Sequence, residues 1–105
     1  MIGQTTIQEA ARVLRKEAPG ATVVLFGSCA RGDPREDSDV DFLVIEPDLV
    51  SKRGEMVRLR DALRPLRIPV DVVVTSHAAW EEWRDTPGTL FHEAWTQGEV
   101  CGEGA

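Results

Sequence analysis

Tyrosine is absent from the 105 residues, so the chain carries no phenolic hydroxyl of its own. The two cysteines, Cys29 and Cys101, are too few for a disulfide framework and suit a reducing compartment. No apolar run approaches the roughly 20 residues needed to cross a bilayer. The N-terminus lacks the basic region and long apolar stretch of a secretory signal. Together these absences predict a cytoplasmic protein that makes no membrane contact. Cations are also scarce: 12 Lys and Arg face 18 Asp and Glu, for a net charge of −6. General nucleic-acid binding needs an excess of phosphate-neutralising cations, so that class is excluded. There are no repeats and no low-complexity tract. His77 and His92 have no zinc-ligand spacing with Cys101.

What is present is enough for one core. Apolar residues make up 42% of the sequence, and a single domain over residues 1–105 is expected. Such a domain leaves no room for a separate acceptor-binding unit. The segment TIQEAARVLRKEA (6–18) places Ile7, Ala10, Ala11, Leu14 and Ala18 near one helical face. Thr6 and Glu9 match a capping box at its start, and Pro19-Gly20 stops it. ATVVLF (21–26) is short and β-branched, which predicts a strand running into Gly27. Residues 29–38 read as a short helical turn and then a loop. VDFLVI (40–45) is a second strand closed by Pro47. Ser51 to Leu63 reads as a helix ended by Pro65, and VDVVV (70–74) as a third strand covered on both faces. Two short helices follow, one carrying Trp80 and Trp83, the other Leu90 to Trp95, and EVC (99–101) suits a short edge strand. The order predicts an α/β (α+β) fold, a small mixed sheet with flanking helices.

The chemistry concentrates in GSCARGDPREDSDVD, residues 27–41. Side chains two apart on a strand share a face, so Asp39 and Asp41 point the same way while Val40, Phe42 and Val44 point into core. Asp71 is a third aspartate, set in an otherwise apolar strand, where an unpaired charge is expensive. If the second and third strands are neighbours, all three carboxylates converge. Unneutralised, they would repel one another. Mg²⁺ removes that cost, since it takes oxygen ligands from a few carboxylates and from substrate phosphates. Two such ions about 4 Å apart serve in-line displacement at phosphorus. Asp39, Asp41 and Asp71 are therefore the candidate metal ligands and catalytic residues, with Asp71 nearest the attacking hydroxyl. The alternative for Asp71 is a salt bridge to a helix arginine. Gly27 lets backbone amides approach a phosphate, and Ser28 offers a hydroxyl and an amide. Arg31 reaches either a phosphate or an aspartate of the site. Neither the Walker A nor the Rossmann glycine pattern is present.

This compound motif resembles the minimal nucleotidyltransferases (MNT) of the polymerase-β-like nucleotidyltransferase superfamily. The family pattern runs Gly-Ser-x-Ala-Arg-Gly, a polar spacer, then Ser-Asp-x-Asp followed by Leu or Phe. Gly27, Ser28, Ala30, Arg31, Gly32, Ser38, Asp39, Asp41 and Phe42 match every fixed position. Asp71 fits the third carboxylate on a later strand, and the resemblance covers about residues 5–100. It implies the polymerase-β-like fold, triphosphate binding by Gly27 and Ser28, and two Mg²⁺ (or Mn²⁺) ions on Asp39, Asp41 and Asp71. It also implies transfer of a nucleoside monophosphate from an NTP to a hydroxyl, with release of pyrophosphate. Many minimal members pair with a HEPN-domain ribonuclease toxin and act as its antitoxin, moving AMP from ATP onto a toxin tyrosine. The resemblance thus implies ATP as substrate and a HEPN toxin as partner.

Two other readings stay open in the sequence. The chain could neutralise a partner by complex formation with little or no catalysis, or it could modify a small molecule. Without tyrosine, tyrosine self-modification is impossible. Arg58, Arg60, Arg64 and Arg67 gather in one stretch of an acidic chain. That run fits a solvated helix face and equally a contact for a partner or polyanion. The three tryptophans fit core or interface, or base stacking. Self-association is compatible with all of this.

Overall fold

The computed structural model describes residues 4–27 and 40–102. Among these residues four α-helices flank one four-stranded mixed sheet. Helix α1 is Gln4–Glu17, strand β1 Thr22–Phe26, β2 Val40–Glu46, α2 Lys52–Leu63, β3 Val70–Ser76, α3 His77–Trp83, α4 Leu90–Gln97 and β4 Glu99–Gly102. The sheet order is β3-β2-β1-β4. Strand β1 is antiparallel to both β2 and β4, whereas β2 and β3 are parallel and joined through α2. The segment 99–101 is thus an edge strand, as its sequence predicts.

Strand alternation divides the core in two. Val23, Leu25, Val40, Phe42, Val44, Val72 and Val74 point to the face covered by α1 and α2. They meet Ala10, Leu14, Leu59 and Leu63, all buried. The opposite face carries Val24, Phe26, Leu43 and Ile45 against Trp80 of α3 and Ala94 of α4. Strand β2 is buried on both faces, which explains its nearly unbroken apolar run. Gly98 ends α4 where the chain grazes β1, since a Cβ there would lie 2.7 Å from the Val24 Cγ1.

The helix boundaries follow their capping side chains. Ser51, Ser76 and Thr89 each accept a hydrogen bond from an amide in the first turn of α2, α3 and α4. Helix α1 differs from expectation. It is already helical at Gln4, so Thr6 lies inside the first turn and is not the cap. Glu9 instead pairs with Arg12 at 3.5 Å.

Glu46 closes β2 beside Glu55 and Arg58 of α2. Burial, then the Glu55 carboxyl as hydrogen-bond partner, pushes the Glu46 pKa up to about 7. Glu55 is held below its usual range, chiefly by its hydrogen bonds from Arg58, the shorter of them 2.6 Å. Below about pH 7 Glu46 is therefore the protonated member of the two carboxyls and Glu55 the ionised one. A raised folded-state pKa means the folded chain binds that proton more tightly than the unfolded chain. This stabilisation is complete below about pH 4.5 and is lost as pH rises through about 7. Glu46→Gln keeps a donor toward Glu55 without the proton. The variant should match wild type near pH 5 and exceed it at pH 8 by on the order of 1 kcal/mol, allowing for solvent screening. Thermal melts at both pH values check this, and an equal difference at the two would contradict it.

Candidate active site

Three strand ends meet at one edge of the sheet: the C-terminus of β1 and the N-termini of β2 and β3. Phe26 pairs with Asp41, and Asp41 pairs in turn with Asp71. Because β2 and β3 are parallel and in register, the two aspartates stand side by side on one face. Their backbones are separated by the ordinary interstrand spacing of about 4.8 Å. The Val40 amide donates to the Pro69 carbonyl at 2.9 Å just before the ladder begins, which pins that register. The expected convergence of Asp41 and Asp71 is therefore observed. It occurs on the face that carries Leu43, Ile45 and Val73.

Gly27 follows β1 with φ +82°, the left-handed region that suits glycine. A Cβ at this position would overlap the Asp41 carboxylate. The glycine thus allows both the turn and the close approach of the backbone to Asp41. Ser28, Arg31 and Asp39 lie outside the described residues, as does the turn expected over 29–38.

Asp71 also meets the contact that the sequence held as its alternative. Arg60, on the outer side of α2, reaches the Asp71 Oδ1 at 3.4 Å. Both side chains are about half exposed, at 55% and 51%. Such a pair is weak and readily exchanged. It leaves Asp71 able to serve a ligand, but it ties a basic residue to the site that no local sequence signal marks. Arg60 reads only as one member of an arginine run. The pairing depends on how α2 lies over the start of β3.

Oxygen donors on adjacent strands, with a glycine backbone against one of them, suit a hard divalent cation such as Mg²⁺. Asp41 and Asp71 fit that role from geometry. Among the described residues no three His, Cys, Asp or Glu side chains gather as a metal set. The other candidate donors are dispersed. His77 opens α3 and faces Glu81 at 3.5 Å. The His92 Nδ1 lies 2.9 Å from the Arg84 carbonyl. Cys101 is a free thiol.

The tryptophans separate by exposure. Trp80 is buried and packs edge-on against Phe91 and Trp95. Trp83 and Trp95 are about half exposed, and the Arg84 guanidinium sits 4.4 Å above the Trp95 ring.

The family model described as "Nucleotidyltransferase domain" matches residues 7–88, which include Gly27, Asp41 and Asp71. No curated protein matches the chain. Solved structures are similar in fold. One is a chain of the tri-AMPylated Shewanella oneidensis HEPN toxin in complex with MNT antitoxin. It is 22% identical, with a TM-score of 0.63, covering 95% of this chain and 71% of that one. Another comes from a mutant of the toxin–antitoxin complex MntA-HpeT, at 21% identity and TM-score 0.67, covering 97% and 74%. A third is a toxin–antitoxin structure with AMP-PNP, at 20% identity and TM-score 0.63, covering 91% and 73%. The expected polymerase-β-like nucleotidyltransferase fold is thus the fold observed.

Proposed function

The chain belongs to the nucleotidyltransferase domain family, and on that premise we propose that it transfers AMP from ATP to a hydroxyl of a partner protein, releasing pyrophosphate. The acceptor is a tyrosine of a HEPN-type toxin, which makes the chain an antitoxin. The observation that carries the reading is the in-register pairing of Asp41 with Asp71 beside Gly27. Similarity in fold to complexes of HEPN toxin with MNT antitoxin, one of them tri-AMPylated and another with AMP-PNP, supports the partner and the nucleotide.

Each residue has a role in this reading. Asp39 and Asp41 hold the divalent ions, and Asp71 completes the set on the side of the attacking hydroxyl. Bound Mg²⁺ or Mn²⁺ supplies charge neutralisation at the phosphates. Gly27 and Ser28 present amides to the triphosphate, and Arg31 steadies a phosphate oxygen. The Asp71 carboxylate accepts the proton that the acceptor hydroxyl loses. Arg60 orients that carboxylate until the acceptor arrives.

Two adjacent carboxylates repel a naked triphosphate, so nucleotide affinity must depend on the cation. Calorimetry should find ATP binding at least about tenfold tighter with Mg²⁺ than without it. Equal affinity in the two titrations would contradict the metal assignment.

A second reading rests on a different surface. Trp83, Leu90, Trp95 and Val100 are exposed large apolar side chains in the α3–β4 region. Such residues suit a partner interface. Neutralisation by complex formation alone would use that surface and leave the aspartates idle.

A further inference from the structure

Three arginines of the run, Arg60, Arg64 and Arg67, line a groove that neighbours Asp71 through its pair with Arg60. The groove has a volume of about 570 Å³ and lies between α2, the turn after it and the start of β3. Arg60, Arg64 and Arg67 stand along it, over an apolar floor of Leu63, Ile68 and Val70. Their charges are unequally matched. Arg64 pairs with Asp61 at 2.7 Å, and Arg60 pairs with Asp71 at 3.4 Å. No ion pair holds Arg67 among the described residues. Its backbone is left-handed, with φ 52°, because its amide closes the turn onto the Arg64 carbonyl at 3.1 Å. Val57, at the apolar edge of the groove, is 55% exposed.

We propose that this groove docks an acidic segment of the acceptor protein, laid beside Asp71 so that its hydroxyl enters the site. The inference rests on the transfer reading above for the word acceptor, and on charge and shape for the rest. A basic groove on a chain of net charge −6 is a local exception to the field of the molecule. It draws carboxylates, while the surrounding negative charge repels a long polyanion such as RNA. Its apolar floor suits the aliphatic side chains of a peptide better than a phosphodiester backbone.

The Arg60–Asp71 pair couples the groove to the site. While Asp71 holds Arg60, one of the three cations is neutralised from within. Once Asp71 is engaged elsewhere, Arg60 turns its charge to the groove. The acceptor therefore docks more tightly on a site whose Asp71 is already occupied.

The test uses fluorescence anisotropy at low salt on the intact chain, without nucleotide. The probe is a fluorescein-labelled peptide alternating Glu and Leu around one Tyr. The comparison probe is a 5′-phosphorylated oligoadenylate of equal charge. The peptide should bind, and Arg60→Gln, Arg64→Gln and Arg67→Asn together should weaken it about tenfold, since each exposed pair contributes little. Asn tolerates the left-handed backbone at position 67, so the turn is kept. Asp71→Asn should tighten the peptide about threefold, and that gain should vanish in the Arg60→Gln background. A generic structural role for Asp71 would not produce this cancellation. Absence of peptide binding, indifference to the three arginine changes, or tighter binding of the oligoadenylate would each overturn the proposal. Since the readout needs no transfer, these outcomes stay separate from success or failure of the adenylylation itself.

Discussion

Asp41→Asn is expected to abolish nucleotide transfer, by about a thousandfold or more, while the protein remains folded. Asp41 stands between both neighbouring strands at the aspartate end, pairing with Phe26 on β1 and Asp71 on β3. Its side chain lies where a Cβ on Gly27 would fall, directly against the turn that follows β1. An amide in its place keeps the size and the strand but is a poor ligand for a hard cation. The apolar residues that hold β2 lie on either side of it, and Phe42, Leu43 and Val44 are fully buried. The melting temperature should therefore shift by no more than a few degrees. Transfer from labelled ATP, measured beside a thermal melt, checks both halves. Wild-type transfer by a folded Asp41→Asn protein would remove Asp41 from the chemistry.

The second large effect separates binding from reaction. Asp71→Asn should lower turnover about a hundredfold or more and change nucleotide affinity by less than about threefold. A group that takes the proton of the attacking hydroxyl acts in the transition state, and its loss appears in turnover. Asp71 stands on the sheet edge, one strand farther from Gly27 than Asp41 is. A triphosphate held at the Gly27 turn, as proposed, would be bound mainly without it. The opposite pattern, weakened nucleotide binding with turnover intact, would place Asp71 among the nucleotide-binding groups instead.

The strands and their faces were legible because this chain alternates cleanly. In Val40-Asp41-Phe42 and Val70-Asp71-Val72, a carboxylate interrupts a run of buried β-branched and aromatic residues. The interruption itself identifies the functional face. That Asp41 and Asp71 are nearest neighbours required β2 and β3 to be adjacent, parallel and in register. Pattern permitted this arrangement but did not impose it. The antiparallel pairing of β1 with β2 had no signal in the strand residues, which look the same in either direction. Thr6 and Glu9 carried a cap signature, yet α1 begins earlier, since amphipathic packing of Ile7, Ala10 and Leu14 extends through its first turn. Trp80 and Trp83, three apart, could share one buried face by spacing. The sheet covers Trp80 and leaves Trp83 about half exposed.

Two features needed the tertiary structure: the environment of Glu46, and which helix arginine meets Asp71. Glu46 reads as a polar strand end. Its raised pKa arises from burial beside Glu55, a contact between β2 and α2 that has no local mark. Arg60 likewise becomes part of the site only through the crossing of α2 over β3. Both are tertiary meetings of charged groups, which periodicity does not encode.

Covalent transfer of AMP to a partner protein, as proposed, can be observed directly. The purified chain is incubated with the proposed HEPN-type partner, Mg²⁺ and α-labelled ATP, and the label is mapped by mass spectrometry. AMP is expected on a tyrosine of the partner, lost when Asp41→Asn replaces wild type. No label from wild type, with the partner fully neutralised by Asp41→Asn, would contradict it and leave complex formation as the activity.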